Sequence, residues 1–273
     1  MTPGREIGRA EGGGTVCLDV ALLTATRLLI QANSGGGKSW TIRRVLEQTN
    51  GEIQHIVLDP EGEFGSLRER FDYVLTGKGG DIASDPATAG LLARRLLEMR
   101  VSAVCDLYEL RAADRRRFVR LFLEALVNAP KQLWHPVLVV VDEAHLYCPE
   151  TGQAESTDAV IDLCTRGRKR GFCAVLATQR LANLNKQAAA QCLNVMVGPS
   201  FLDIDRKRAV EILGIQKADQ RRVGSQLMQL EPGQFWCVGR AFTPRALTLV
   251  RVGKVRTHHP EIAAGRSAPP GPP

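Results

Sequence analysis

The segment Ala32-Asn33-Ser34-Gly35-Gly36-Gly37-Lys38-Ser39 constrains this chain more than any other feature. It follows the apolar run Leu28-Leu29-Ile30 and opens a stretch, 38–48, that places Ile42, Val45 and Leu46 on one helical face. A glycine-rich turn between a buried strand and a helix start reads as a phosphate cradle. Glycine lacks a Cβ, so backbone N–H groups can close around an anion. The helix N-terminus adds favourable partial charge. On this reading Asn33, Ser34, Gly35, Gly36, Gly37, Lys38 and Ser39 bind the phosphates of ATP. Lys38 reaches the β- and γ-phosphates and Ser39 ligates Mg²⁺. Ala32 stands where the usual pattern has its first glycine, a position that a small residue fits. Trp40 either packs under the helix or approaches the nucleotide base.

The run Val137-Leu138-Val139-Val140-Val141 suits a strand buried on both faces and ends in Asp142-Glu143-Ala144-His145. Carboxylates at such a strand end lie where open α/β sheets bind ligands. Asp142 is expected to hold Mg²⁺ through water, and Glu143 to orient and deprotonate the attacking water. The second carboxylate favours hydrolysis over a nucleotide switch or a kinase. Acidic residues at a helix N-terminus would explain the charge but not its coincidence with a phosphate cradle. A further apolar run, 173–178, ends in Gln179-Arg180, and Gln179 is expected to face the γ-phosphate. Upstream, Arg166-Gly167-Arg168-Lys169-Arg170 is either a solvated basic loop or the source of an arginine finger for a neighbouring subunit. Asp59 and Glu63 either support the site from behind or cap a turn. His145 is expected to be structural.

Apolar, β-branched runs at 27–31, 55–59, 101–106, Val137–Val141, 173–178 and Asn194–Val197 alternate with helical patterns at 38–48, 112–128, 203–213 and 217–230. The alternation predicts an α/β fold with a mostly parallel central sheet flanked by helices. A short strand at 16–20 precedes this core, and a strand pair at Gln234–Gly239 and 247–252 follows it. Residues 1–257 read as one domain, and 258–273, rich in Pro, Gly, Ala and Ser, as a disordered tail. A net charge of +7 favours a polyanionic partner such as nucleic acid. Seven cysteines are scattered singly with no CxxC pair, which suits a reduced, cytoplasmic protein without structural zinc. No apolar run reaches the roughly 18 residues of a membrane span. Residues 1–14 lack the apolar core of a secretory signal.

Four blocks occur in order: Gly35-Gly36-Gly37-Lys38-Ser39, Leu58-Asp59-Pro60-Glu61-Gly62-Glu63-Phe64, Val141-Asp142-Glu143-Ala144-His145, and Gly167-Arg168-Lys169 leading to Ala177-Thr178-Gln179-Arg180. Together they resemble the HerA/FtsK superfamily of ring-forming, DNA-pumping ATPases, and HerA-like proteins in particular. The resemblance implies a RecA-like P-loop NTPase fold of the additional-strand, catalytic-glutamate type. It implies a homo-oligomer, a hexamer, around double-stranded DNA, with ATP and Mg²⁺ as cofactors. Arg168 matches the arginine that acts on a neighbour's ATP, and Gln179 matches the sensor. A partner nuclease or effector protein is also within the family's range. The stretch before Leu28 is expected to be too short for the N-terminal β-barrel of archaeal HerA proteins. The membrane segments and the DNA-reading winged helix of FtsK are not expected. The rival reading is an ATP-dependent assembly module that regulates a partner effector without moving DNA.

Overall fold

The computed structural model describes residues 4–259. The chain enters as a hairpin, β1 (Arg5–Ala10) and β2 (Thr15–Leu18). Asp19 then caps α1 (Val20–Thr26), its carboxylate accepting from the Leu22 N–H at 2.9 Å. That cap is why the strand expected at 16–20 stops at Leu18. β3 (Leu28–Gln31) leads through the glycine-rich turn into α2 (Lys38–Thr49) and on to β4 (Gln54–Asp59). There follow β5 (Tyr73–Thr76), α3 (Ala89–Met99), β6 (Ser102–Asp106), α4 (Ala112–Val127) and β7 (Val137–Val141). Next come α5 (Thr157–Thr165), β8 (Phe172–Thr178), the short α6 (Lys186–Ala189) and β9 (Asn194–Val197). A helical hairpin, α7 (Asp203–Ile212) and α8 (Lys217–Gln229), precedes β10 (Gln234–Gly239), β11 (Phe242–Thr243) and β12 (Thr248–Val252).

The strands described form one sheet in the order β11-β2-β1-β12-β10-β9-β3-β8-β7-β4-β6-β5. From β9 to β5 every neighbouring pair is parallel. From β9 through β10 to β11 every pair is antiparallel. The parallel part needs cover on both faces, and its strands alternate accordingly. Val137, Val139 and Val141 of β7 pack in one apolar layer with helices α3 to α8. Leu138 and Val140 face the other layer, which α1 and α2 supply. Ile7, Val16 and Leu18 from the antiparallel part join that second layer beside Ile42, Val45 and Leu46 of α2. The helix that starts at the phosphate cradle is therefore boxed in by both halves of the sheet.

The segment 253–259 runs from β12 back across α2. The N–H and hydroxyl of Thr257 donate to Glu47 at 2.9 and 2.7 Å, and the Arg256 N–H does so at 2.7 Å. Arg43 donates to the Thr257 hydroxyl at 2.7 Å. His258, which composition assigns to the disordered tail, donates its N–H to Glu69 at 2.9 Å. Composition masks the His258 bond because it is made by a backbone N–H. Residues 260–273 of that expected tail lie outside the described residues. No described helix is long and apolar enough to cross a membrane.

Gly8 of β1 pairs with Val252 of β12, and a Cβ at Gly8 would lie 2.2 Å from the Arg251 carbonyl oxygen. The clash is with main chain, so β1 would have to move away from β12. Gly8→Ala is expected to cost about 1–3 kcal/mol and to lower Tm by several degrees in a thermal unfolding scan. An unchanged Tm would contradict this pairing.

Candidate active site

Three strand ends build the site. β3 ends at the cradle, β7 ends at Asp142 and Glu143, and β8 ends at Thr178 and Gln179. β8 lies between β3 and β7, the order that the catalytic-glutamate reading requires. Two strand spacings put the cradle about 10 Å from the acidic pair, a gap that a lysine arm can cross.

The cradle is fixed from below. The Asn33 N–H donates to the Pro199 carbonyl at 2.9 Å, the Gly36 N–H to the Asn33 carbonyl at 2.8 Å, and the Gly233 N–H to the Gly36 carbonyl at 3.1 Å. A Cβ at Gly36 would sit 2.9 Å from the Asn33 carbonyl oxygen. One at Gly37, where φ is +95°, would sit 2.8 Å from the Gly233 nitrogen. Only glycine fits these two positions. The amides of Ser34, Gly35, Gly37, Lys38 and Ser39 have no backbone acceptor among the described residues. They open the helix N-terminus, where an anion is favoured.

Lys38 is buried and directs its ammonium at the acidic pair. It donates to Asp142 Oδ1 and lies 3.0 Å from Glu143 Oε1. Burial alone would lower its pKa, but the two carboxylates outweigh burial and hold it well above the ordinary lysine value. Burial pushes Asp142 up, against the pull of Lys38, and Glu143 adds to the rise. A phosphate entering the cradle competes with these carboxylates for the ammonium.

Glu143 takes an uncommon backbone conformation, φ 48° and ψ 44°. A left-handed non-glycine residue costs roughly 1–2 kcal/mol. Its carboxylate is gripped on several sides. Gln179 donates its side-chain amide at 2.7 Å and its backbone N–H at 3.4 Å. His145 Nδ1 lies 3.3 Å from Oε2 and 2.9 Å from the Thr178 hydroxyl. Burial lowers the His145 pKa against the opposing pull of Glu143. His145 thus bridges the Glu143 carboxylate and the Thr178 hydroxyl.

The residues of the second block divide. Asp59 caps its own turn, accepting from the N–H groups of Glu61, Gly62 and Phe64 at 3.2, 2.7 and 2.9 Å. Burial pushes its carboxyl up, nearby Asp106 adds to the rise, and the Phe64 N–H offsets part of it. Glu63 instead accepts from the Ser39 hydroxyl.

A cleft of about 790 Å³ lies over the cradle and is lined by Asn33, Ser34, Gly35, Gly37, Lys38, Ser39, Trp40 and Gln179. Its volume is in the range of sites that enclose a small ligand, roughly 300–1,000 Å³. The far wall was not legible in the sequence. Pro232, Gly233, Arg251, Val252 and His259 form it. The indole Nε1 of Trp40 donates to the Gly253 carbonyl at 2.9 Å, and the residue also lines the cleft. The structure fits Mg²⁺ and a triphosphate. Among the described residues Asp142 Oδ2 is buried without a hydrogen-bond partner, the Ser39 hydroxyl stands at the helix start, and a Cβ at Gly36 would press on the Asn33 carbonyl, so only glycine keeps the loop's tight turn.

Arg168 is not part of this gathering. It lies on a 3-10 turn, Gly167–Arg170, before the first residue of β8, while Gln179 follows the last. Seven residues of strand separate the two ends by roughly 20 Å. Arg166 and Arg170 find partners within the chain, Asp162 at 2.6 Å and the ring of Trp134 at 5.2 Å. The exposed Arg168 side chain has none among the described residues.

A phosphate cradle and an acidic pair on strands separated by one other, in a sheet of this order, define a P-loop ATPase of RecA-like fold. Residues 5–156 match the family described as "Helicase HerA, central domain". The chain belongs to that family. Solved structures share the fold. The genome-packaging NTPase B204 of Sulfolobus turreted icosahedral virus 2, in complex with ATP-gammaS, aligns with a TM-score of 0.58 at 15% identity, covering 83% of this chain and 97% of that one. VirB4 of Thermoanaerobacter pseudethanolicus gives 0.67 at 14% identity, covering 93% and 98%. The bacterial conjugative coupling protein TrwBdeltaN70 gives 0.65 at 11% identity, covering 95% and 91%. No curated protein matches the sequence.

The conformation of Glu143 has a measurable signature in stability. Glu143→Gly relieves the left-handed backbone, whereas Glu143→Ala keeps its strain, and both lose the same carboxylate. The glycine variant is expected to be more stable than the alanine variant by about 1 kcal/mol in denaturant unfolding. Equal stability would argue against a strained glutamate.

Proposed function

We propose that this chain is a Mg²⁺-dependent ATPase that works as an oligomeric ring, a hexamer, to move double-stranded DNA in the cytoplasm. The observation that carries the hydrolytic half is the grip on Glu143 by Lys38, Gln179 and His145 beside the cradle. The backbone amides of Ser34, Gly35 and Gly37 and the Lys38 ammonium bind the phosphates. Ser39 and Asp142 would hold Mg²⁺, which supplies neutralisation of the charge on the phosphate oxygens. Glu143 orients the attacking water and takes its proton. Gln179 touches the base directly, so it reports the presence of the γ-phosphate to β8.

The ring rests on Arg168. An arginine without a partner among the described residues, at the sheet end away from its own cradle, suits the nucleotide of a neighbouring subunit. The motor rests on family membership and on fold relatives described as a genome-packaging NTPase and a conjugative coupling protein. The charge of +7 agrees with a phosphate-backbone track.

Two measurements test this reading. ATP turnover should rise with duplex DNA, and the stimulation should fall steeply as salt is raised through counterion release. A purified, ATP-competent oligomer that neither binds DNA at low salt nor responds to it would overturn the motor and leave the ATP-dependent assembly module. Arg168→Ala should keep ATP binding and lose turnover on the order of 10³-fold. Mixing it with Lys38→Ala protein should restore part of the activity, because some interfaces then pair an intact cradle with an intact arginine. Proven mixed assembly without rescue would place Arg168 outside the neighbour's site.

A further inference from the structure

The cleft continues past the phosphate cradle, and its far end has a different chemistry. The phosphate end is made of amides, a hydroxyl and an ammonium. The other end presents the rings of Trp40 and His259, the apolar Val252, the Pro232-Gly233 turn and Arg251. Both sides of this end are tied rigidly to the cradle. Trp40 directly follows Ser39 in the first turn of α2, and its indole is fixed by the bond to the Gly253 carbonyl at 2.9 Å. Gly233 meets the cradle through its bond to the Gly36 carbonyl at 3.1 Å.

His259 arrives by a less obvious route. The strap 253–259 is stitched to α2 through Glu47, Arg43 and Thr257, all three nearly inaccessible to solvent. Buried charges of this kind hold only when their hydrogen bonds are satisfied, so the strap is an integral layer over α2. It delivers the His259 ring beside Trp40, with ring centroids 6.2 Å apart and planes inclined by 31°. Among the lining residues the one carboxylate near α2 is Glu63, which serves the Ser39 hydroxyl at the phosphate end. Arg251, also on this wall, is paired with Glu231 at 2.6 Å, so a flat aromatic group is what the rings leave this end to accommodate.

We infer that Trp40 and His259, held in place by the strap 253–259, form the subsite for the nucleobase of the bound triphosphate, and that a purine is gripped there by stacking. The inference rests on the cradle binding the triphosphate, and it adds a contact that the cradle does not make. The strap is then part of the nucleotide site, although it lies far from every motif in the sequence.

The test is isothermal titration of the full chain with two probes in the presence of Mg²⁺, ATP and inorganic tripolyphosphate. His259→Ala and Trp40→Leu should each weaken ATP binding by about tenfold, the usual size of one base–aromatic stack. Their affinity for tripolyphosphate should equal that of the wild type. His259→Phe should restore ATP binding. Lys38→Ala should weaken both ligands, and if it weakens neither, the cradle reading itself fails. Unchanged ATP affinity in His259→Ala would overturn the nucleobase subsite. So would an equal loss for ATP and tripolyphosphate, because the strap would then merely support the cradle. Should Trp40→Leu fail to fold, the His259 variants decide alone.

Discussion

The ammonium of Lys38, buried between the carboxylates of Asp142 and Glu143, joins the start of α2 to the end of β7. Breaking a buried ion pair typically costs about 3–5 kcal/mol. Holding a residue in a sparsely populated backbone region costs roughly 1–3 kcal/mol. The first figure exceeds the second, so the ion pair, with help from Gln179 and His145, can keep Glu143 in its left-handed conformation. The same cation is the natural partner of a γ-phosphate. One interaction therefore holds Glu143 in place beside the phosphate cradle.

The sheet sets the scale on which this works. β8 spaces the cradle from the acidic pair and carries Gln179 to the glutamate. The antiparallel strands beyond β9 bring Gly233 against the underside of the cradle. α2 is enclosed on the sheet side by apolar packing and on the other by the strap through Glu47 and Arg43. Arg43 also donates to the Glu63 carbonyl at 2.6 Å, and the Glu63 side chain takes the Ser39 hydroxyl. A continuous path of polar contacts thus runs from Thr257 to Ser39 at the helix end of the cradle.

The sequence was most legible where a residue's role depends on its immediate neighbours. The cradle, Asp142-Glu143 and Thr178-Gln179 each follow a buried apolar run, and each run is a strand ending at the site. The turn at Asp59 was open between a cap and a supporting role, and its three backbone bonds make it a cap. β1 was hidden because Arg5–Ala10 buries little beyond Ile7 and Gly8, and its pairing with β12 is set by residues over 200 positions away. α3 carries Leu92, Ala93, Leu96 and Leu97 at helical spacing, yet it is missing from the helices read in the sequence, since no motif directs attention to it. The far wall of the cleft left no signal, since Gly233 acts through its backbone and Thr257 reaches Glu47 across 210 residues. The φ of Glu143 is equally silent, because its side chain gives no hint of a left-handed backbone.

The central claim is that Glu143 activates water for attack on ATP held by the cradle. Single-turnover release of γ-phosphate, measured alongside nucleotide retention in wild type and Glu143→Gln, tests it most directly. Glutamine keeps the shape and the contact with Gln179 but cannot take a proton. The account predicts that Glu143→Gln retains ATP and releases phosphate about 10²-fold or more slowly than wild type, in the range of a lost general base. Release at the wild-type rate would contradict it.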